Sequence, residues 1–440
     1  MRMFVKMSLM LIASAIIGSM LMILVYMLPV EGMKRNLRGS IDMLMKEGVR
    51  NSWAGFSYKR PPRHMNDNDV SDAMNTIRLY AIIDGQTDGT MLNMAVYRSG
   101  NAVHDAMMNP SLSYRSNSEF SNSIEVLSKV LNDNNHEESS ISTYPRYWHG
   151  YLIYLKPILM LFGMPGIRVI NLILQFILLI MVILKMSQKI GKAYACAFSL
   201  AVLVVDPVAS VICLQYSDVY YITLLSMLVI LSKNDSLRKT NRYYFLFMFT
   251  GIFTSFFDFL TYPFASLGMP LVLYMLMNDD KLSEKILSMI KMSLSWGFGY
   301  FGMWASKWVI ASLVTGHNVI INGINAALSR TGGYIRGLDV TWPHLFSYAS
   351  SMRLFVPGLL ILSAVIITSC LLIYISVRKG YTSASEIIPL CMTFLYPFVW
   401  YAVLKQHSII HYFFTYKLLS VSVFAALCII IKCLGYKHNG

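Results

Sequence analysis

The chain has 440 residues, of which 55% are hydrophobic and 14% charged, with 37 basic against 23 acidic side chains and a net charge of +14. A soluble protein carries about 25% charged residues, so at a mean hydropathy of +0.52 the composition excludes a string of water-soluble domains and points to a membrane protein. The positive excess then fits topology-setting residues and anionic lipid better than nucleic acid.

The first predicted element is the apolar run 7–30, uninterrupted by charge and too long for the core of a signal peptide. It reads as a retained span, so residues 1–30 form a cytoplasmic N-terminus and a first transmembrane helix. Residues 31–166 follow as a large, mainly helical outer region with amphipathic patches at 41–45 and 91–107. That region closes with the segment 151–162, interrupted by Lys156 and Pro157 and read as an interfacial or re-entrant helix.

Crossing the hydrocarbon takes about 20 apolar residues. Runs at 167–184, 193–214, 219–232, 243–262, 264–278 and 292–306 place transmembrane helices across residues 167–306. Residues 307–353 form a second long outer loop. Runs at 354–377, 387–404 and 411–431 then bring residues 354–440 to the cytoplasmic C-terminus and the total to about ten spans. The expected fold class is an all-α integral membrane protein with two outer loops.

Lysine and arginine counts in the short connections orient it. One alternate set holds Arg2, Lys6, Lys185, Lys189, Lys192, Lys233, Arg238, Lys239, Arg242, Lys281, Lys285, Lys291, Arg378, Lys379, Lys432 and Lys437; the opposite set, around Gln215, Pro263 and Gln406, holds Lys405. Both termini are therefore expected in the cytoplasm of a multi-pass cell-membrane protein.

Ionisable groups in or beside spans are costly and tend to be functional. Asp67 and Asp69 lie in a polar stretch that reads as a solvated turn. Asp84 and Asp88 are four apart, so a helix puts both carboxylates on one face; the alternative is an N-cap and a first-turn acid. Arg146 and His149 stand among Tyr144, Tyr147 and Trp148, where an aromatic belt explains the rings and leaves the two basic groups available for a phosphate or sugar. Asp206 precedes Pro207 inside an apolar run and is equally well a polar residue bonded at a kink. Asp258 sits at the outer end of a span among phenylalanines. Lys307, Arg330, Arg336 and Arg353 supply cations to the second outer loop, and His407, His411 and Lys417 descend from an outer turn into the last span. His407 and His411 have the spacing of a metal pair, but no third ligand is evident nearby, so no metal or cofactor is expected. The six cysteines show no CxxC pair and imply neither a disulfide framework nor a zinc site.

The order of elements, with one span, a large outer loop holding an acid, many further spans and a second outer loop, resembles the GT-C superfamily of membrane glycosyltransferases. The stretches from Asp84 to Asn93, Tyr147-Trp148-His149-Gly150, Phe257-Asp258-Phe259-Leu260-Thr261 and His407 to Lys417 are similar to segments of bacterial multi-span proteins of surface polysaccharide synthesis. One departure stands out: such enzymes often carry the catalytic acid soon after the first span, where this chain has only Glu31.

The resemblance implies transfer of a sugar from a polyprenyl-phosphate donor to a glycan or lipid-linked acceptor on the outer face. An enzyme with outward-facing ionisable groups is cut off from cytoplasmic nucleotide sugars, whereas a polyprenyl-phosphate sugar presents its headgroup there. Asp88 is then the general base, with Asp84 orienting it, and Arg146, His149, Asp258, Lys307, Arg330, His407, His411 and Lys417 bind substrate. A transporter or flippase of lipid-linked sugars is the rival; its internal repeats and broken helices are represented only by Asp206-Pro207.

Overall fold

The computed structural model describes residues 2–49, 83–114, 123–132, 139–332, 334–335, 338–339, 374, 376–380 and 382–436. Asp67, Asp69, Arg336, Arg353 and most of the expected span 354–377 fall outside them.

The chain opens with α1 (Arg2–Tyr26), α2 (Glu31–Arg38) and α3 (Ile41–Val49). After the first gap come α4 (Gly85–Val96), α5 (Ala102–Met108), β1 (Pro110–Tyr114), α6 (Ser123–Asn132), β2 (Ser139–Thr143) and α7 (Leu152–Leu161). A run of apolar helices follows: α8 (Met164–Lys189), α9 (Lys192–Val205), the short α10 (Pro207–Ile212), α11 (Leu214–Lys239), α12 (Tyr243–Phe257), α13 (Ala265–Met277) and α14 (Leu282–Thr315). Then come α15 (Val319–Thr331), a two-residue ribbon of β3 (Tyr334–Ile335) and β4 (Leu338–Asp339), α16 (Ala384–Phe394), α17 (Tyr396–Val403), α18 (Lys405–Ile410), α19 (Tyr412–Thr415) and α20 (Leu419–Cys433).

Among the described residues five stretches are long and apolar enough to cross a membrane: Met3–Tyr26, Met164–Lys189, Leu214–Lys239, Ala384–Val403 and Phe413–Cys433. α9, α12 and α13 are apolar but shorter. Their outward faces are hydrocarbon, as on α8, where Val169, Leu172, Ile173, Phe176 and Leu184 are exposed. Lipid is the solvent such a surface matches.

Packing inside the bundle relies on small residues that let backbones approach. A Cβ on Gly251 of α12 would come within 2.1 Å of the Trp296 carbonyl oxygen on α14, and one on Gly299 within 2.3 Å of the Met248 carbonyl oxygen. These two glycines fix the α12–α14 contact. α14 carries on well past the expected end of its span, from Leu282 to Thr315, because nothing in Lys307-Trp308-Val309-Ile310-Ala311 breaks a helix; Gly316, at φ +72°, terminates it.

At the end of the bundle where α1, α12 and α14 finish, the described residues between 31 and 161 form a cap. Gly150 anchors it: its N–H donates to the Phe256 carbonyl at 2.9 Å, and a Cβ there would lie 2.3 Å from the Phe256 ring. Trp148 donates from Nε1 to the Met303 carbonyl at 2.7 Å. The cap is not wholly helical. β1 and β2 pair antiparallel, Pro110 with Thr143 through Tyr114 with Ser139. The amphipathic patch expected over 91–107 divides into α4 and α5 at the turn Ser99-Gly100, where Gly100 has φ +97°. α7 has ten residues, so it reaches about 15 Å and cannot cross.

Three fully buried lysines tie helices together by one recurring device. Lys156 donates to the Ala95 carbonyl at the end of α4 (2.8 Å), Lys307 to Ala106 near the end of α5 (2.8 Å), and Lys417 to Val205, the last residue of α9 (2.7 Å). Each ammonium also lies over an aromatic face, Tyr26 at 4.7 Å, Trp148 at 5.3 Å and Tyr216 at 4.6 Å respectively. A cation at a helix C-terminus meets the negative end of the dipole and a carbonyl without a helical partner, and the ring adds a cation–π term. Lys307→Met is expected to leave the Ala106 carbonyl buried and unpaired at a cost of about 1–3 kcal/mol, seen as a lower melting temperature in detergent.

Candidate functional site

Two polar centres occupy the cap end. The first is built on Asp84 and Asp88. Asp84 is the N-cap of α4, accepting from the Thr87 N–H at 3.1 Å and its hydroxyl at 2.6 Å, and it also accepts from Gln215 Nε2 at 2.6 Å. Asp88, one turn on, accepts from the Leu214 N–H at 3.0 Å and faces the Cys213 thiol at 3.4 Å. Both carboxyls are 1% exposed, and together they clamp the positive first turn of α11. Arg168 stands beside Asp88, with its guanidinium held by Glu47 at 2.7 and 2.8 Å and by the Ile212 carbonyl at 3.0 Å.

Burial pushes the Asp88 carboxyl up to about 7, helped by the charge of Asp84 and opposed by Arg168. Burial also raises Asp84, against its hydrogen bonds to Thr87 and Gln215. A general base is most effective with a pKa near the working pH, and the environment of Asp88 meets that condition.

The second centre gathers Arg146, Arg330, Asp258, His149, His407 and His411 around Tyr147. Arg146 lies 4.6 Å over the Tyr144 ring and Arg330 5.6 Å over Tyr147. Arg146 Nη1 donates to Asn322 on α15 at 3.3 Å, and the Trp308 indole donates to the Arg146 carbonyl at 2.9 Å, so α15 is held across this wall. Asp258 closes a turn, accepting from the N–H groups of Leu260 and Thr261 and from the Thr261 hydroxyl.

Burial disfavours the charged form of His149 and His407. Burial first, then Lys307 and Arg146, drops His149 to about 3; its Nε2–H donates to the Tyr144 carbonyl at 3.2 Å, with Nδ1 3.1 Å from the Tyr151 hydroxyl. Burial, His411 and Arg330 hold His407 well below its usual range. His407 donates from Nε2 to the Leu260 carbonyl at 2.8 Å.

A third feature has no counterpart among the expected site residues. Trp296, Tyr300, Trp304 and Trp308, four apart along α14, stack as a ladder with centroid separations of 4.6, 5.2 and 6.2 Å. Its upper rungs adjoin the arginines, since Trp304 lies 5.7 Å from Tyr147. The two end rungs are satisfied, Trp296 donating to Ser266 at 3.2 Å and Trp308 to Arg146. Between them the Tyr300 hydroxyl and Trp304 Nε1 are buried without a partner among the described residues, as are Trp400 Nε1 and the Nε atoms of Arg146 and Arg330. Buried donors of this kind are rare in a finished interior and mark a place where a ligand supplies acceptors. The i, i+4 spacing is the sequence signal that would have revealed the ladder.

Of the expected residues, Arg146, His149, Asp258, Arg330, His407 and His411 come together. Asp84 and Asp88 form the separate acid centre, joined to the first through Tyr151, which touches His149 and Phe259 and senses the charge of Asp88. The ammonium groups of Lys307 and Lys417 are committed to helix ends, and the charge of Lys307 reaches His149 from there. Among the described residues no three His, Cys, Asp or Glu side chains are placed to hold a metal ion. The chain matches no protein-family model, no curated protein and no solved structure.

Proposed function

We propose that the protein is a membrane-embedded glycosyltransferase that takes a sugar from a polyprenyl-phosphate donor on the outer face of the cell membrane and passes it to a glycan or lipid-linked acceptor. The observation that carries the reading is the pair of arginines ringed by unpartnered buried donors, with the buried Asp258 carboxyl in the same centre. Such a set calls for an anionic, hydroxyl-rich ligand at a membrane surface. Arg146 and Arg330 hold the donor phosphate and stabilise it as it leaves. Asp258 faces the sugar hydroxyls. Asp88 takes the proton of the acceptor hydroxyl as it attacks the anomeric carbon, with Asp84 fixing its position. The bond to the phosphate oxygen breaks as the new glycosidic bond forms, and the lipid phosphate departs with its charge on the arginines.

In this reading the chain has about ten spans and both termini in the cytoplasm, which puts the cap outside. In a cysteine-free background, a cysteine at Ser142 is expected to react with an impermeant maleimide on intact cells, and one at Ser236 only after permeabilisation. Reaction of Ser236 alone would turn the cap to the cytoplasm and remove the basis for a lipid-linked donor. Catalysis itself is checked with protein purified in detergent, by mass-detected sugar transfer from a polyprenyl-phosphate sugar.

A further inference from the structure

α15 carries a hydrocarbon stripe left open by the described residues. Ile320, Ile321, Ile324 and Leu328 are 38, 55, 45 and 63% exposed, and at 3.6 residues per turn they fall within an arc of about 100° on one side of the helix. The far side packs inward: Val319 and Gly323 are buried, a Cβ on Gly323 would lie 2.4 Å from the Trp308 ring, and Arg330 lies over Tyr147. Between the two runs a polar strip of Asn322, Asn325 and Ser329, in which Asn322 accepts from Arg146 at 3.3 Å and Ser329 donates to Gln406 at 3.0 Å. A helix anchored on one face and apolar on another is built for the edge of a bilayer.

The course of the helix points to lipid as its neighbour. α14 ends at Gly316, and the Ser312 hydroxyl accepts from the N–H groups of Val319 and Ile320 at 3.0 and 3.3 Å, so the chain reverses at once and α15 returns beside α14. Gly323 rests on Trp308, and further along Arg330 reaches Tyr147, which packs on Trp304, one turn nearer the middle of the bundle. α15 therefore runs back along the bundle and not out into solvent. The α14 surface at the turn is hydrocarbon as well, since Leu313 and Val314, next to Ser312, are exposed. The stripe thus continues a face that lipid already solvates. Thirteen residues reach about 20 Å, too short to cross a hydrocarbon core of about 30 Å. We infer that α15 is a re-entrant helix whose stripe from Ile320 to Leu328 lies against the acyl chains of the leaflet on the cap side. Its backbone groups are paired within the helix, the condition for entering hydrocarbon. Its one charged side chain, Arg330, is turned from the stripe onto the Tyr147 ring. The leaflet in this way sets the depth of Arg330, which lies about 16 Å along the helix axis from Val319 at 1.5 Å per residue. Whatever the arginine centre binds, this seat belongs to α15 itself.

Nitroxide depth measurements on the full chain test it. In the cysteine-free background, single cysteines at His317, Ile324 and Leu328 are spin-labelled, with Ile321 in place of Ile324 should that variant fold poorly, and the protein is reconstituted in vesicles of phosphatidylglycerol and phosphatidylethanolamine. All these positions are exposed, so the labels leave the packing of α15 on α14 intact. Collisions with oxygen, which concentrates in hydrocarbon, are compared with collisions with a water-soluble nickel chelate. The expected result is a several-fold excess of oxygen over nickel collisions at Ile324 and Leu328, larger at Leu328, and the reverse at His317, which marks the turn. Nickel collisions in excess at all three positions would put the stripe in water and overturn the re-entrant helix. Protection of Ile324 and Leu328 from both reagents would overturn it too, because another stretch of the chain or a second copy would then cover the stripe. The measurement does not require turnover. A lipid-seated stripe in a protein that transfers no sugar would therefore uphold α15 and refute the glycosyltransferase, and transfer by a protein whose stripe lies in water would do the reverse.

Discussion

Asp88→Asn is expected to lower sugar transfer by about 10² to 10⁴, the usual cost of losing a general base, while the protein stays folded. The amide keeps the volume and can still accept from the Leu214 N–H, so the start of α11 remains held. With the Asp88 carboxyl at about 7, wild-type kcat/KM should rise with pH through an inflection near that value, and the limb should vanish in the variant. Stability moves the other way. The folded pKa is raised above the unfolded one, so the folded state binds the extra proton and stability declines as pH rises from about 4 to about 7. Asp88→Asn should flatten that decline, and melting temperatures from pH 5 to 8 will report it. A variant with wild-type turnover would transfer the role to Asp258.

Arg330→Gln is expected to raise the Michaelis constant for a polyprenyl-phosphate donor and to cut kcat, together about 10²-fold or more, since removal of one donor to a developing charge typically costs that much. Glutamine retains a hydrogen-bond donor and loses the charge, which isolates the electrostatic part. The matching change at Lys417 should leave donor kinetics alone, because its ammonium is spent on the Val205 carbonyl and the Tyr216 face. Its loss should appear as lower thermal stability. Equal kinetic losses at Arg330 and Lys417 would mean that the phosphate sits deeper in the bundle than the arginine centre.

The helical, membrane character of the chain was legible because it is written in composition and in runs of apolar residues, a local signal. The N-cap role of Asp84 was legible as well, from a turn-forming stretch followed by Thr87 and an apolar helix. What escaped depends on contacts distant in sequence. No local pattern announces that Asp88 will meet the N–H of Leu214, 126 positions on, or that Lys307 will find the Ala106 carbonyl. The helix expected to stop before Lys307 runs on because nothing in that stretch breaks it, and the ammonium that seemed to end it is held by a hydrogen bond to a carbonyl 201 positions earlier. β1 and β2 were missed because five residues such as Ser-Ser-Ile-Ser-Thr carry too little apolar alternation to declare a strand. The ladder on α14 was readable in principle, since four aromatics at one spacing share a helix face, but within an apolar run it looked like ordinary packing.

The most direct test of the account is a transfer assay on purified wild-type protein in detergent, supplied with a polyprenyl-phosphate sugar and its acceptor glycan, and read by mass for the glycosylated acceptor and the free lipid phosphate. Both products are expected in equal amounts, formed at least about 10²-fold more slowly by Asp88→Asn at matched concentration. Intact donor after prolonged incubation, together with donor movement across the bilayer in proteoliposomes, would contradict it and identify the protein as a carrier of lipid-linked sugars.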